Sequence, residues 1–442
     1  MTASTTDRRR HDREILALAV PAFGALVAEP LFLMADSAIV GHLGTAQLAG
    51  VGVASAALTT ATGVFVFLAY ATTAAVARRI GAGDRRAAVQ QGIDGIWLAL
   101  ALSAGVVALT LLLAPWVADV LGASATAAPY AVTYLRISAL GIPAMLMVMA
   151  ATGVLRGLQD TRTPLLVAVA GFTANLGLNA GLVYGAGLGV AGSAWGTVLA
   201  QTGMAGAYLF VVVRGARRER ASLRPDAAGI RACARAGGPL MVRTLSLRAI
   251  LMIATAVAAG LGDDEIAAHQ IAMTVFLFIA FALDAIAIAG QAIIGRYLGA
   301  EDVPGAKAAT RRMIEWGVGS GLVLGLLVVA ARPLYVPLFT PDPAVQAQLN
   351  TVLVLLALCQ PVAGLVFVLD GVLMGAGDGT YLAWAMLATL AVFAPVAFAV
   401  PASGTGLAGL WWAMNLFMLV RGGFLAWRAR GGEWLVTGAV RA

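Results

Sequence analysis

Two carboxylates, Glu29 and Asp36, lie in the otherwise apolar stretch AEPLFLMADSAIVGHLG at 28–44. They are seven residues apart, close to two helical turns, so in a helix they share one face. Pro30 between them frees a backbone carbonyl and favours a kink. Two amides, Asn175 and Asn179, stand i, i+4 in a second apolar stretch and also share a face. Carboxylate and amide oxygens gathered away from water support two chemistries: reversible protonation of the acid, or coordination of a hard cation such as sodium. Asp284 and Asp370 are further acids inside apolar runs. Such acids cost roughly 2.5–3.5 kcal/mol each on membrane-insertion scales and usually face a cavity or a partner. Arg243 and Arg248 are partners for Glu29, Asp284 or Asp370, a choice the sequence leaves open. Gln270, Gln291 and Asn415 either line a cavity or bond neighbouring helices.

The elements that carry these groups follow from composition. Of 442 residues, 60% are hydrophobic and only 12% charged, with a mean hydropathy of +0.89. Soluble domains run near half apolar and about a quarter charged, so this is a polytopic membrane protein. Apolar spans fall near 15–40, 50–77, 89–114, 130–155, 164–186 and 189–213. A second set lies near 237–261, 266–295, 312–338, 350–374, 380–401 and 405–427. These make twelve transmembrane helices in an all-α fold, with a tail at 1–14, lobes at 15–213 and 237–428, a basic linker at 214–236 and a second tail at 429–442. The first stretch is too long for a signal-peptide core.

Basic residues orient the spans. Counting Arg421, Arg428, Arg430 and Arg441 with the even-numbered connections and the N-terminal tail, 25 of the 29 lie on one side. The positive-inside rule then makes both termini cytoplasmic. The basic linker reads as an anchor at anionic lipid headgroups rather than a nucleic-acid site. Cys233, Cys359 and the three histidines show no metal or haem spacing, and no Gly-rich phosphate loop points to ATP.

The two halves repeat. An offset of 218 residues pairs Pro21 with Pro239, Gly44 with Gly262, Arg78 with Arg296, Asp84 with Asp302, Gly153 with Gly371 and Asp160 with Asp378. One residue less pairs GVAGSAW at 189–195 with GLAGLWW at 406–412. Two copies of six spans share one orientation, an arrangement known in transporters. The intramembrane polar groups break the repeat: Asp36 faces Ala254, Asn175 faces Phe393, Asn179 faces Ala397, and Asp370 faces Thr152. Polar groups private to each copy of a shared scaffold favour function over framework.

At these residues, and at RTLSLR (243–248), FALDAIAIAGQAIIGRYLGA (281–300) and VLDGVLMGAGD (368–378), the chain resembles the multidrug and toxic compound extrusion (MATE) family, DinF branch. The resemblance runs along the whole chain. It implies two pseudo-symmetric six-helix bundles enclosing a cleft, alternating access, and export of organic, cationic or amphipathic compounds driven by H+ or Na+. By the same resemblance Asp36 is the cation or proton acceptor, Pro21 the site of first-helix bending, and Asn175, Thr197 and Tyr134 match polar positions of the family. Asn179 departs from the aspartate common there, and Asp370 occupies a tenth-helix position where the sister branch uses an acid. The resemblance further implies a bacterial plasma-membrane monomer among lipids, without cofactor, nucleic acid or enzymatic activity. A lipid-linked precursor flippase would want a more cationic cleft, and a membrane enzyme would want clustered His, Cys or acids.

Overall fold

The computed structural model describes residues 5–440, with the side chains of residues 5–7, 29 and 33 left aside. No strand occurs among the described residues. Fourteen α-helices follow one another: α1 (Thr5–Gly41), α2 (Thr45–Gly63), α3 (Phe67–Gly81), α4 (Arg85–Val120), α5 (Ala128–Ala139), α6 (Ile142–Gly157) and α7 (Arg162–Ala180). The rest are α8 (Gly189–Arg218), α9 (Ala227–Leu261), α10 (Asp263–Gly299), α11 (Val303–Phe339), α12 (Pro343–Gly375), α13 (Gly379–Ser403) and α14 (Gly406–Arg430). Helices α2 and α3 are joined by a single 3-10 turn into one crossing, and α5 and α6 form another, bent by 53°. Ten crossings are both long and apolar enough for a bilayer, and the bent pair makes an eleventh. The twelfth, α14, has 25 residues but carries Asn415 and Arg421 within it. All twelve expected spans are helices.

Several expected boundaries move. Helix α1 starts at Thr5, so most of the anticipated N-terminal tail is helical, and α1 runs unbroken through Pro21 and Pro30. The linker is non-helical only over 219–226. Beyond α14 the chain turns back: Trp434 is buried, its indole donating to the Ala429 carbonyl at 3.1 Å, and the Gly438 amide donates to the Leu298 carbonyl at 3.0 Å.

Two compact units divide the described chain, Gly24–Gly237 and a second that joins Gly238 onward to the residues up to Phe23. Helix α1 therefore contributes to both, which the boundaries 15–213 and 237–428 do not express.

Inside each unit the repeat is a packing motif. A Cβ added at Gly153 would lie 2.5 Å from the Ala69 carbonyl oxygen, and one at Gly371 would meet the carbonyl of Ala287. Both members of this pair are 218 residues apart. Gly157 against Thr73, and Gly375 against Gln291, repeat the arrangement one turn on. Small residues let backbones approach where lipid provides no hydrophobic drive for association. The caps repeat too: Asp84 accepts from the Ala87 amide and Asp302 from the Gly305 amide, each at 2.8 Å.

The repeat also shows where it slips. Gly187 and Gly404 both take φ +68°, a left-handed turn that suits glycine, and they are 217 residues apart. The first half thus holds one residue more than the second between Asp160 and Gly187. It is absorbed in a π-helical turn, Gly181–Gly185, where the Ala186 amide reaches back to the Gly181 carbonyl at 2.9 Å; α13 contains no such turn. Similarly, Pro143 opens a new helix, whereas its counterpart Pro361 sits inside continuous α12.

Replacing Gly153 or Gly371 by leucine should lower stability by about 1–3 kcal/mol, because backbone cannot retreat from the new side chain. Thermal unfolding of purified variants in detergent measures this. Gly52→Ala, where an added Cβ meets open space, should leave the transition unchanged within about 0.5 kcal/mol.

Candidate functional site

In the first unit the private polar groups of that half meet. The Asp36 side chain on α1 is only 6% exposed. Its Oδ1 accepts from the Asn179 amide nitrogen on α7 and from the Ser193 hydroxyl on α8, the latter at 3.1 Å. Asn175, one turn earlier on α7, donates to the Thr197 hydroxyl at 3.3 Å. The Tyr134 hydroxyl, on α5, is buried beside Thr197, Ser193, Ser55 and the Asp36 carboxylate. An amide nitrogen that donates leaves its own carbonyl oxygen as an acceptor. The Oδ1 atoms of both Asn175 and Asn179 are buried with no donor among the described residues. The cluster therefore offers a carboxylate and two amide oxygens with unused lone pairs.

Local structure holds the cluster in place. Gly196 faces Asn179 so closely that any Cβ there would collide with the Asn179 side-chain oxygen. Tyr184, within the π turn, donates to the Ile39 carbonyl at 2.6 Å and ties α1 to that turn just past Asp36. Val40, Val51, Ala54, Ala114, Leu135, Val190 and Ala194 pack as a dry core beside Tyr134. Removing water strengthens every polar interaction so enclosed.

The second unit gathers different groups. Asp370 on α12 is bound by Arg243 of α9, whose Nε donates at 3.2 Å, and by Arg421 of α14 at 3.0 Å. All three are buried, with Arg421 only 3% exposed. The half-buried Asp284 carboxylate on α10 lies within electrostatic reach of Arg421. Here the acid is answered by two guanidiniums, an arrangement that competes with any incoming cation.

Other sequence candidates are scattered. Asn415 is buried and donates to the Leu355 carbonyl at 3.1 Å, a helix-to-helix bond. Gln291 is buried with its amide 3.8 Å from the Met374 sulfur. Gln270 is exposed, and Arg248 and Pro21 are half-buried. The Glu29 side chain lies outside the described residues. Arg421 corrects the charge count: it is a buried partner of Asp370, not a basic residue at the membrane face. Ser193 was missed by sequence reasoning. Its signal was present, because inside GVAGSAW it stands opposite Leu410 and is thus private to the first half.

Gly196→Ala should push Asn179 off Asp36 and abolish activity that depends on the pair, detectable in a transport assay alongside unchanged membrane expression. Asp370→Ala should instead destabilise the fold by about 3–5 kcal/mol, since two buried guanidiniums lose their counter-charge. Thermal unfolding distinguishes that loss from a purely functional one.

Known proteins share this architecture. The MatE family model matches residues 21–180 and 239–399, one copy on each half. Protein DETOXIFICATION 44, chloroplastic, of Arabidopsis thaliana is 32% identical, over 95% of this chain and 83% of its own length. DNA damage-inducible protein F of Escherichia coli (strain K12) is 28% identical, over 96% of this chain and 94% of its own. Among solved structures, the bent form of the Vibrio cholerae MATE transporter VcmN superposes with a TM-score of 0.88 at 22% identity, covering 98% of both chains. That likeness carries the fold, two sets of six spanning helices, while the paired family match carries the kinship. A duplicated helical scaffold with private polar clusters, matched along both copies, makes this multi-pass membrane chain a member of the MatE family of multidrug and toxic-compound efflux transporters and not an enzyme.

Proposed function

We propose that the chain is a secondary active antiporter that exports organic, cationic or amphipathic compounds by alternating access, driven by H+ or Na+ exchanging at Asp36. The observation that carries this reading is the buried Asp36 carboxylate, bonded by the neutral Asn179 and Ser193, in a cluster where the Asn175 and Asn179 carbonyl oxygens are buried and donor-free among the described residues. A hard cation seeks oxygens whose lone pairs are unspent, and this cluster holds such oxygens on Asn175 and Asn179 near the Asp36 carboxylate's own partners. A proton on Asp36 would turn the carboxylate into a donor as well as an acceptor, among partners that are all neutral. Either way a single positive charge neutralises the carboxylate and alters what Asn179 and Ser193 bond to. Such a change gives the two states of the site different partners, as ion-driven transport requires.

Coupling is assigned to the first half. Asp370 already has two guanidiniums as counter-charges, so it and Asp284 form a neutralised framework rather than a second ion site. The protein is placed in a bacterial plasma membrane with both termini cytoplasmic, supported by the arginines of the N-terminal segment, the linker and Arg428 and Arg430.

Asp36→Asn should reduce gradient-driven efflux from loaded vesicles to background while the variant accumulates normally in the membrane. Imposing a pH gradient and a Na+ gradient separately identifies the driving ion. Near wild-type export by the variant, or export independent of both gradients, overturns the assignment. A reporter that fluoresces only in the cytoplasm, fused after Ala442, should be bright; a dark fusion in a functional exporter reverses the orientation.

A further inference from the structure

The N-terminal turns of α1 carry charge on two faces. The inner face is fully engaged: Asp12 accepts from the Arg312 guanidinium at 2.6 and 2.9 Å and from the Trp316 indole at 2.8 Å. Glu14 binds Arg296 and accepts from the Tyr297 hydroxyl at 3.3 Å. The outer face is not. Arg9, Arg10 and Arg13 are exposed and form no ion pair among the described side chains. Together with Glu14, Ala17 and Arg296 they line an open cavity of about 580 Å³. Four guanidiniums against one carboxylate make it an anion cradle, and Arg296 is already oriented there by Glu14.

The helix continues this face in a telling order. Arg9, Arg13, Leu16 and Val20 stand at i, i+4, i+7 and i+11, one stripe on an α-helix. Leu16 is 40% exposed and Val20 62%, while Ile15, Leu18, Ala19 and Ala22 on the opposite side are buried. The stripe thus runs from arginine to exposed aliphatic side chain where α1 enters its apolar segment. A free phosphate would use only the first part. A lipid uses both, with its phosphate among the arginines and its acyl chains along Leu16 and Val20.

We propose that this cradle is a specific binding site for the phosphate-bearing headgroup of an anionic membrane lipid, formed by Arg9, Arg10, Arg13 and Arg296. Guanidinium and phosphate pair in bidentate fashion, which suits arginine better than a diffuse positive surface would. The bound headgroup and Glu14 share Arg296, so lipid occupancy bears on the contact that holds α1 to α10.

The test uses the purified full chain equilibrated with an equimolar mixture of phosphatidylglycerol and phosphatidylethanolamine, with retained lipids counted by native mass spectrometry. The wild type should retain phosphatidylglycerol over phosphatidylethanolamine by about ten-fold. R9Q/R10Q/R13Q should bring that ratio close to one, and the milder R13Q should lower it about three-fold. R85Q/R86Q, which removes two exposed arginines at the start of α4, away from both the cradle and the basic linker, should leave it unchanged. Full preference in both α1 variants overturns the site, as does an equal loss in the α4 control. Soluble glycerol phosphate that displaces phosphatidylglycerol at equal concentration would make the occupant a free phosphate and overturn the lipid assignment.

Discussion

A polar side chain inside a bilayer has no water to turn to, so each one must be answered from within the protein. That constraint organises this molecule. Asp36 is answered by Asn179 and Ser193, and Asp370 by Arg243 and Arg421. Each answer requires three helices to meet at one depth. Closely packed glycines such as Gly153, Gly157, Gly371 and Gly375 let the neighbouring helices approach to backbone distance. Framework and polar clusters are therefore two sides of one requirement.

The two answers differ in kind. Around Asp36 the bonded partners, Asn179 and Ser193, are neutral and bring no counter-charge. Around Asp370 they are cations, so the charge is already met. The two halves share a repeated scaffold, and their private residues surround one buried acid with neutral partners and the other with cations. Under the proposed function, this division places coupling in one half and asks for no mirror image in the other.

Much of this was legible in the sequence. The twelve spans followed from hydropathy, the duplication from Pro, Gly and Asp at one offset, and the site from Asp36, Asn175 and Asn179 breaking that offset. The rest depended on proximity that no single chain displays. Asp370 and Arg243 are 127 residues apart, and nothing local distinguishes Arg243 from Arg248 as its partner. Arg421 lies seven residues from Arg428 on the same helix, so a count by loop treats them alike, although Arg421 is buried against Asp370 while Arg428 is half-buried at the helix end against Asp378. Ser193 was easily passed over because serine is common among small residues in spanning helices, where it costs little. The cradle on α1 was invisible for a related reason: four arginines in a row of charges look equivalent until Asp12 and Glu14 define which face is taken.

The π turn at Gly181–Gly185 has a further consequence. An extra residue in an α-helix rotates everything beyond it by about 100°, which would swing either the paired asparagines or the following helix away from its neighbours. A π turn confines that rotation to itself, as such bulges near functional sites commonly do. The stretch bearing Asn175 and Asn179 could thereby keep its own facing while Ser193 and Thr197 kept theirs. The one residue by which the halves differ thus sits in the turn that separates the two asparagines from Ser193 and Thr197, between the two helices whose facings the polar centre requires.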